Sequence, residues 1–183
     1  GVQNSQKKSF NITMDSFIPN QDIMGYNILN LNNCFQDPSF IHEIFYQRQI
    51  KKHIPTAKSA FVKLYINGGN WGVYPMVQQL NSDFLKEWFM TNNGTNWRAD
   101  RSGGGMGGGW GDGTAALNYL GADTSDFQPY YQLKSAEKPN PWDDLVNTCD
   151  VLNNSTPAAL DSLLPNVLDI DRTLWFLASE ILF

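Results

Sequence analysis

Residues Phe61–Gln79, FVKLYINGGNWGVYPMVQQ, constrain the fold more than any other part of the chain. Alternating side chains lead up to Asn67-Gly68, the pair that best supplies the two positive-φ positions of a two-residue hairpin turn. With the turn there, Ile66 is expected to face Gly69. Leu64 then faces Trp71 and Val62 faces Val73 on one side, while Phe61 faces Tyr74 and Lys63 faces Gly72 on the other. This register puts Lys63, Tyr74, Met76 and Gln78 on one face. Lys63 has room to reach a ligand there, although a solvated lysine is the simpler reading.

Hydrophobic residues at 42% and aromatic residues at 13% of 183 residues suffice for one sizeable core. The formal net charge of −5 argues against a general nucleic-acid binder, because phosphate contacts need clustered lysine and arginine. The basic clusters Lys7-Lys8 and Lys51-Lys52-His53 are short. No run of about 18 apolar residues suggests a transmembrane helix. Cys34 and Cys149 are too few for a disulfide framework or a structural zinc site.

Around the hairpin, Phe10, Ile12 and Met14 alternate as in a half-buried strand, and Tyr26–Leu31 reads as a second. Asp37-Pro38-Ser39 reads as a helix start, with a capping carboxylate and proline at the first helical position, and the helix should end by His53. Asn81 or Ser82 can cap a short helix carrying Phe84, Leu85, Trp88 and Phe89. From Thr91 to Gly113 the chain is polar and glycine-rich, which predicts a mobile loop centred on residues 101–113. Tyr130–Lys134 reads as a strand. Asn140-Pro141 should open a helix with Trp142, Leu145, Val146, Cys149 and Leu152 on one stripe, and Thr156-Pro157 another that Pro165 closes. The last segment, LWFLASEILF, is apolar nearly all round and has no helix-stop signal. It is expected to be buried, by further polypeptide beyond residue 183 or by a second chain covering 174–183.

Few motifs suggest chemistry by themselves. The glycine-rich stretch lacks both the G-x-x-x-x-G-K-[ST] and the G-x-G-x-x-G pattern. His42 and His53 have no acidic or thiol neighbour at metal-ligand spacing, so no metal site is expected. No G-x-S-x-G elbow exists. Asp143-Asp144 and Asp169/Asp171 fall where helix starts favour negative charge. A carbohydrate-binding surface would use exposed rings, with Trp71 and Trp110 as the residues in question.

Taken together, GYNILNLNNCFQDPSFIHE, AFVKLYINGGNWGVYPMVQQLNSDFLKEWF, TNWRAD, NYLGAD, YYQLK and PWDDLV resemble the CotH kinase family, named for a spore-coat protein. The resemblance runs from about Lys8 to Phe183 and implies an atypical protein-kinase-like α+β fold: a small, mainly antiparallel sheet built around the hairpin, packed by helices, with a helical part from about residue 140. It further implies ATP with Mg²⁺ as cofactors, a protein substrate or surface partner, and a secreted or cell-surface location. The nucleotide-facing residues it points to are Lys63, Gln78, Arg98 and Lys134. Two depart from the family pattern, which has glutamate at the position of Gln78 and lysine at that of Arg98. The family's catalytic acids follow the last helix, so residues 1–183 are expected to be the first part of a single domain with no catalytic residue among them. A non-catalytic surface or interaction module on the same fold is the alternative.

Overall fold

The structure, a computed structural model, describes residues 7–99 and 115–182. The residues at the centre of the glycine-rich stretch, Trp110 among them, lie outside that set. The chain divides into two compact units, Gly1–Asn92 with Trp175–Phe183, and Asn93–Leu174.

The first unit is built on a four-stranded antiparallel sheet of β1 (Phe10–Thr13), β2 (Ile28–Leu31), β3 (Ser59–Ile66) and β4 (Gly69–Gln78), in the order β1-β2-β4-β3. Asn67 and Gly68 take φ of 51° and 80°, as a tight hairpin turn requires. The expected pairing holds only for Ile66 and Gly69. Beyond the turn Tyr65 pairs with Asn70, but Leu64 pairs with Gly72, so Trp71 is the extra residue of a β-bulge. The cause is local. The Asn70 side-chain oxygen accepts the Gly72 N–H at 2.9 Å, and Gly72 sits at φ +91°, which a side chain would oppose.

The bulge slips the rest of β4 by one residue. Val62 now faces Tyr74, Lys63 faces Val73 and Phe61 faces Pro75. Since a slip of one reverses the face, Lys63 lies on the side of the sheet opposite Tyr74, Met76 and Gln78, which corrects the expected common face. Tyr74 is fully buried, at 0% exposure, and packs against Phe10 with ring centroids 5.9 Å apart.

Helix α1 (His42–Ile50) starts later than Asp37-Pro38 suggests. Phe40 takes φ +64° and breaks any helix begun at Pro38. Asp37 still serves the helix start: its carboxylate accepts the Ser39 and His42 backbone N–H groups, each at 3.0 Å, and the Ser39 hydroxyl. In α2 (Ser82–Phe89), Asn81 caps as expected, accepting from the N–H groups of Asp83 and Phe84.

The second unit pairs β5 (Asn96–Ala99) with β6 (Tyr131–Ser135), so residues 96–99 of the polar stretch are strand rather than loop. Its core is Phe127, Tyr131, Leu145 and Cys149, with Trp97, Leu117 and Trp142 packed against it. Helix α3 (Asp143–Asn154) has no side-chain cap, and Asn140 contributes its backbone carbonyl instead. Helix α4 (Pro157–Val167) is capped by Thr156 and does not stop at Pro165, whose missing N–H comes too near the helix end to break it.

Helix α5 (Ile170–Leu182) opens on Asp169, which accepts the Arg172 N–H at 3.1 Å. Trp175 stacks on His53 at 3.5 Å between ring centroids. Leu174, Phe176 and Leu177 remain exposed, and Ile181 is 84% exposed, so the described residues leave much of the apolar surface of this helix uncovered.

Candidate functional site

Gln78 ends β4 with 9% of its surface exposed, and both ends of its amide are engaged. The oxygen accepts the Lys58 backbone N–H at 3.0 Å, and the nitrogen donates to Glu87 Oε2 at 3.4 Å. Glu87, on α2, forms an ion pair with Lys58 Nζ, which also donates to the Tyr26 hydroxyl at 3.0 Å. The Glu87 carboxylate and the Tyr26 hydroxyl hold the Lys58 ammonium above its ordinary pKa. Beside this cluster lies a cavity of about 120 Å³ walled by Tyr26, Ile28, Leu29, Ala60 and Met76. A lysine–glutamate pair therefore exists here, although not at the residues the family pattern points to. Gln78 is its neutral neighbour, and a glutamate in its place would set a second carboxylate against Glu87.

The other expected residues fall elsewhere. Lys63 is exposed on the opposite side of the first unit's sheet. Arg98 and Lys134 belong to the second unit: Arg98 faces Gln132, and Lys134 is the unpaired residue of a bulge opposite Asn96 and Trp97. Both are exposed.

A second cleft, of about 510 Å³, lies between the end of β2 and α1, with Asn32, Asp37, Glu43, Tyr46 and Glu180 in its walls. Here the asparagines of LNLNN find their purpose. Asn30 donates to Gln79 Oε1 at 2.9 Å, Asn32 donates to Glu43 at 2.8 Å, and Asn33 donates to the Lys7 carbonyl at 2.9 Å. They tie the strand end to its neighbours. Tyr46 donates to Glu180 at 2.8 Å, and burial raises its pKa. The Ser39 hydroxyl lowers that of Asp37. Burial raises that of Cys34. Among the described residues no three His, Cys, Asp or Glu side chains converge as a metal site would require.

Sequence reasoning missed Tyr26, Lys58 and Glu87. Lys58 sits one residue ahead of a strand and Glu87 on the polar side of a helix, and nothing in their spacing announces a pair. Tyr46 and Glu180, which are far apart in sequence, gave no signal either.

The fold and these contacts define a mixed α+β domain with a hairpin-centred antiparallel sheet and a polar cluster at the hairpin's open end. The chain belongs to the CotH kinase family, whose description, CotH kinase protein, matches residues 1–183. That family is associated with the spore coat. No curated protein matches the chain. Among the described residues no helix is long and apolar enough to cross a membrane.

Proposed function

We propose that these residues form the nucleotide-facing part of a CotH-like kinase or kinase-like domain and do not themselves contain the catalytic acids. The observation that carries this reading is the family match over residues 1–183, joined to the lysine–glutamate pair beside Gln78 at the end of the hairpin. In kinases such a pair orients the phosphates of ATP. By the family resemblance Gln78 of the first unit and, each taken by itself, Arg98 and Lys134 of the second are proposed as nucleotide contacts. Lys63 could do so only from the opposite face of the sheet, which weakens its claim.

Several acidic side chains among the described residues are already engaged, which supports the second half of the proposal. Asp37, Asp123 and Asp169 accept backbone N–H groups. Glu43, Glu87 and Glu180 bind Asn32, Lys58 and Tyr46, and Asp144 pairs with Lys138. Among the described residues no three His, Cys, Asp or Glu side chains converge, which supports placing the Mg²⁺ ligands outside them. A secreted or cell-surface setting with a protein substrate fits this reading.

The second reading is a surface interaction module without phosphoryl transfer, favoured by glutamine at 78 and arginine at 98. Calorimetry with ATP, with and without Mg²⁺, beside a radiolabelled transfer assay on the 183 residues separates the two. We expect weak, Mg²⁺-insensitive ATP binding and no transfer. Micromolar affinity that depends on Mg²⁺, together with label transfer, would show catalytic acids within the chain. No ATP binding at all would favour the interaction module.

A further inference from the structure

The side of the sheet that carries Lys63 holds a groove which the nucleotide reading does not use. It has a volume of about 600 Å³ and is walled by Phe40, Phe61, Trp71 and Val73, with Lys7 at one margin. Lys63 pairs with Val73 and so stands on the same face as Phe61 and Val73. Phe61 and Trp71 remain 46% and 44% exposed, while residues of their size are usually better covered.

These rings are held in place. The bulge turns Trp71 out of the regular pleat, and its ring meets Phe10 edge-on at 5.8 Å. Lys7 donates to the Val73 carbonyl at 2.6 Å and lies 4.0 Å from the centre of the Phe40 ring. Aromatic side chains fixed before binding lose little entropy on contact, as at the anchor points of protein interfaces.

Charge narrows the choice of occupant. The chain carries −5 overall, yet among the described residues the one charged side chain lining the groove is Lys7, with Lys63 next to it on the same face as the cross-strand partner of Val73, and no acidic side chain lines it. Among the described residues Lys63 has no ion-pair partner. A sugar would need hydrogen-bonding side chains along the walls, but the one hydroxyl there among the described residues, on Ser39, is bonded to Asp37. We infer that the Phe40–Phe61–Trp71 groove docks an extended acidic peptide segment of a protein partner, with an apolar side chain against the rings and a carboxylate at Lys63. This inference stands apart from nucleotide binding.

The test uses fluorescence anisotropy on the whole chain without nucleotide. The probes are a labelled peptide of about ten residues alternating glutamate with leucine and phenylalanine, and its lysine-for-glutamate counterpart. The acidic peptide should bind about ten-fold more tightly at low salt, and the gap should narrow as salt rises. Lys63→Glu should invert the preference, and Phe61→Ser should weaken both peptides while the melting temperature stays unchanged. Equal affinity for the two peptides, indifference to Lys63→Glu, no binding of either, preferential binding of cellohexaose, or a dimer in sedimentation that buries the groove would each overturn the inference. Any of these outcomes leaves the ATP measurements untouched, so the two readings fail separately.

Discussion

At the residue scale, the hairpin shows how much one side chain can redirect. Asn67-Gly68 announces its turn in the sequence, but Asn70 and Gly72 do not announce a bulge, because neither residue type is tied to that use. Gly72→Ala should cost about 1 kcal/mol or more, since alanine is strained at φ +91°, and a urea melt measures it. Gln78 gives a second test. Gln78→Glu would face Glu87 across the present 3.4 Å contact, so we expect a lower melting temperature at neutral pH and partial recovery in acid, once one carboxylate is protonated. Asp37 has the opposite sense. Its pKa is lowered in the folded chain, so its contribution is present above the unfolded carboxylate range and fades as pH falls through the folded value. Asp37→Asn should flatten the acid limb of the stability profile, and a melting temperature that still falls as steeply in the variant would contradict this.

At the scale of elements, the sequence was most legible where a cap or turn is a local event. Asn81 and Thr156 cap α2 and α4 as their positions suggest. Asp37 is the instructive departure, because its carboxylate serves a helix that begins five residues later across a backbone turned by Phe40. Strand β5 escaped notice because Asn96–Ala99 is short and polar and acquires its identity only by pairing with β6. Helix α5 was rightly read as apolar, yet its surroundings could not be. Ile181→Glu, at a site 84% exposed, should leave the melting temperature of the chain alone and reduce its self-association in sedimentation. Destabilisation instead would show that the helix is covered within this chain.

For the whole molecule, each unit has a buried tyrosine, and the two are predicted to answer the same substitution differently. No pattern of apolar residues distinguishes them beforehand, because satisfaction of a hydroxyl depends on what the fold brings to it. In the second unit the Tyr131 hydroxyl accepts the Leu117 N–H at 2.9 Å. Tyr131→Phe leaves that N–H unbonded beside the Phe127–Leu145–Cys149 core, at an expected cost of about 1–3 kcal/mol. In the first unit Tyr74 is fully buried, its hydroxyl has no hydrogen-bond partner among the described residues, and burial raises its pKa. Tyr74→Phe keeps the ring contact with Phe10 and removes only an unsatisfied polar atom, so it should be neutral or stabilising. Denaturant melts of the two variants, followed by circular dichroism, compare them directly. A loss of more than about 1 kcal/mol in Tyr74→Phe would mean that the hydroxyl has a bound partner in solution, and such a partner would lie under the face that also carries Gln78.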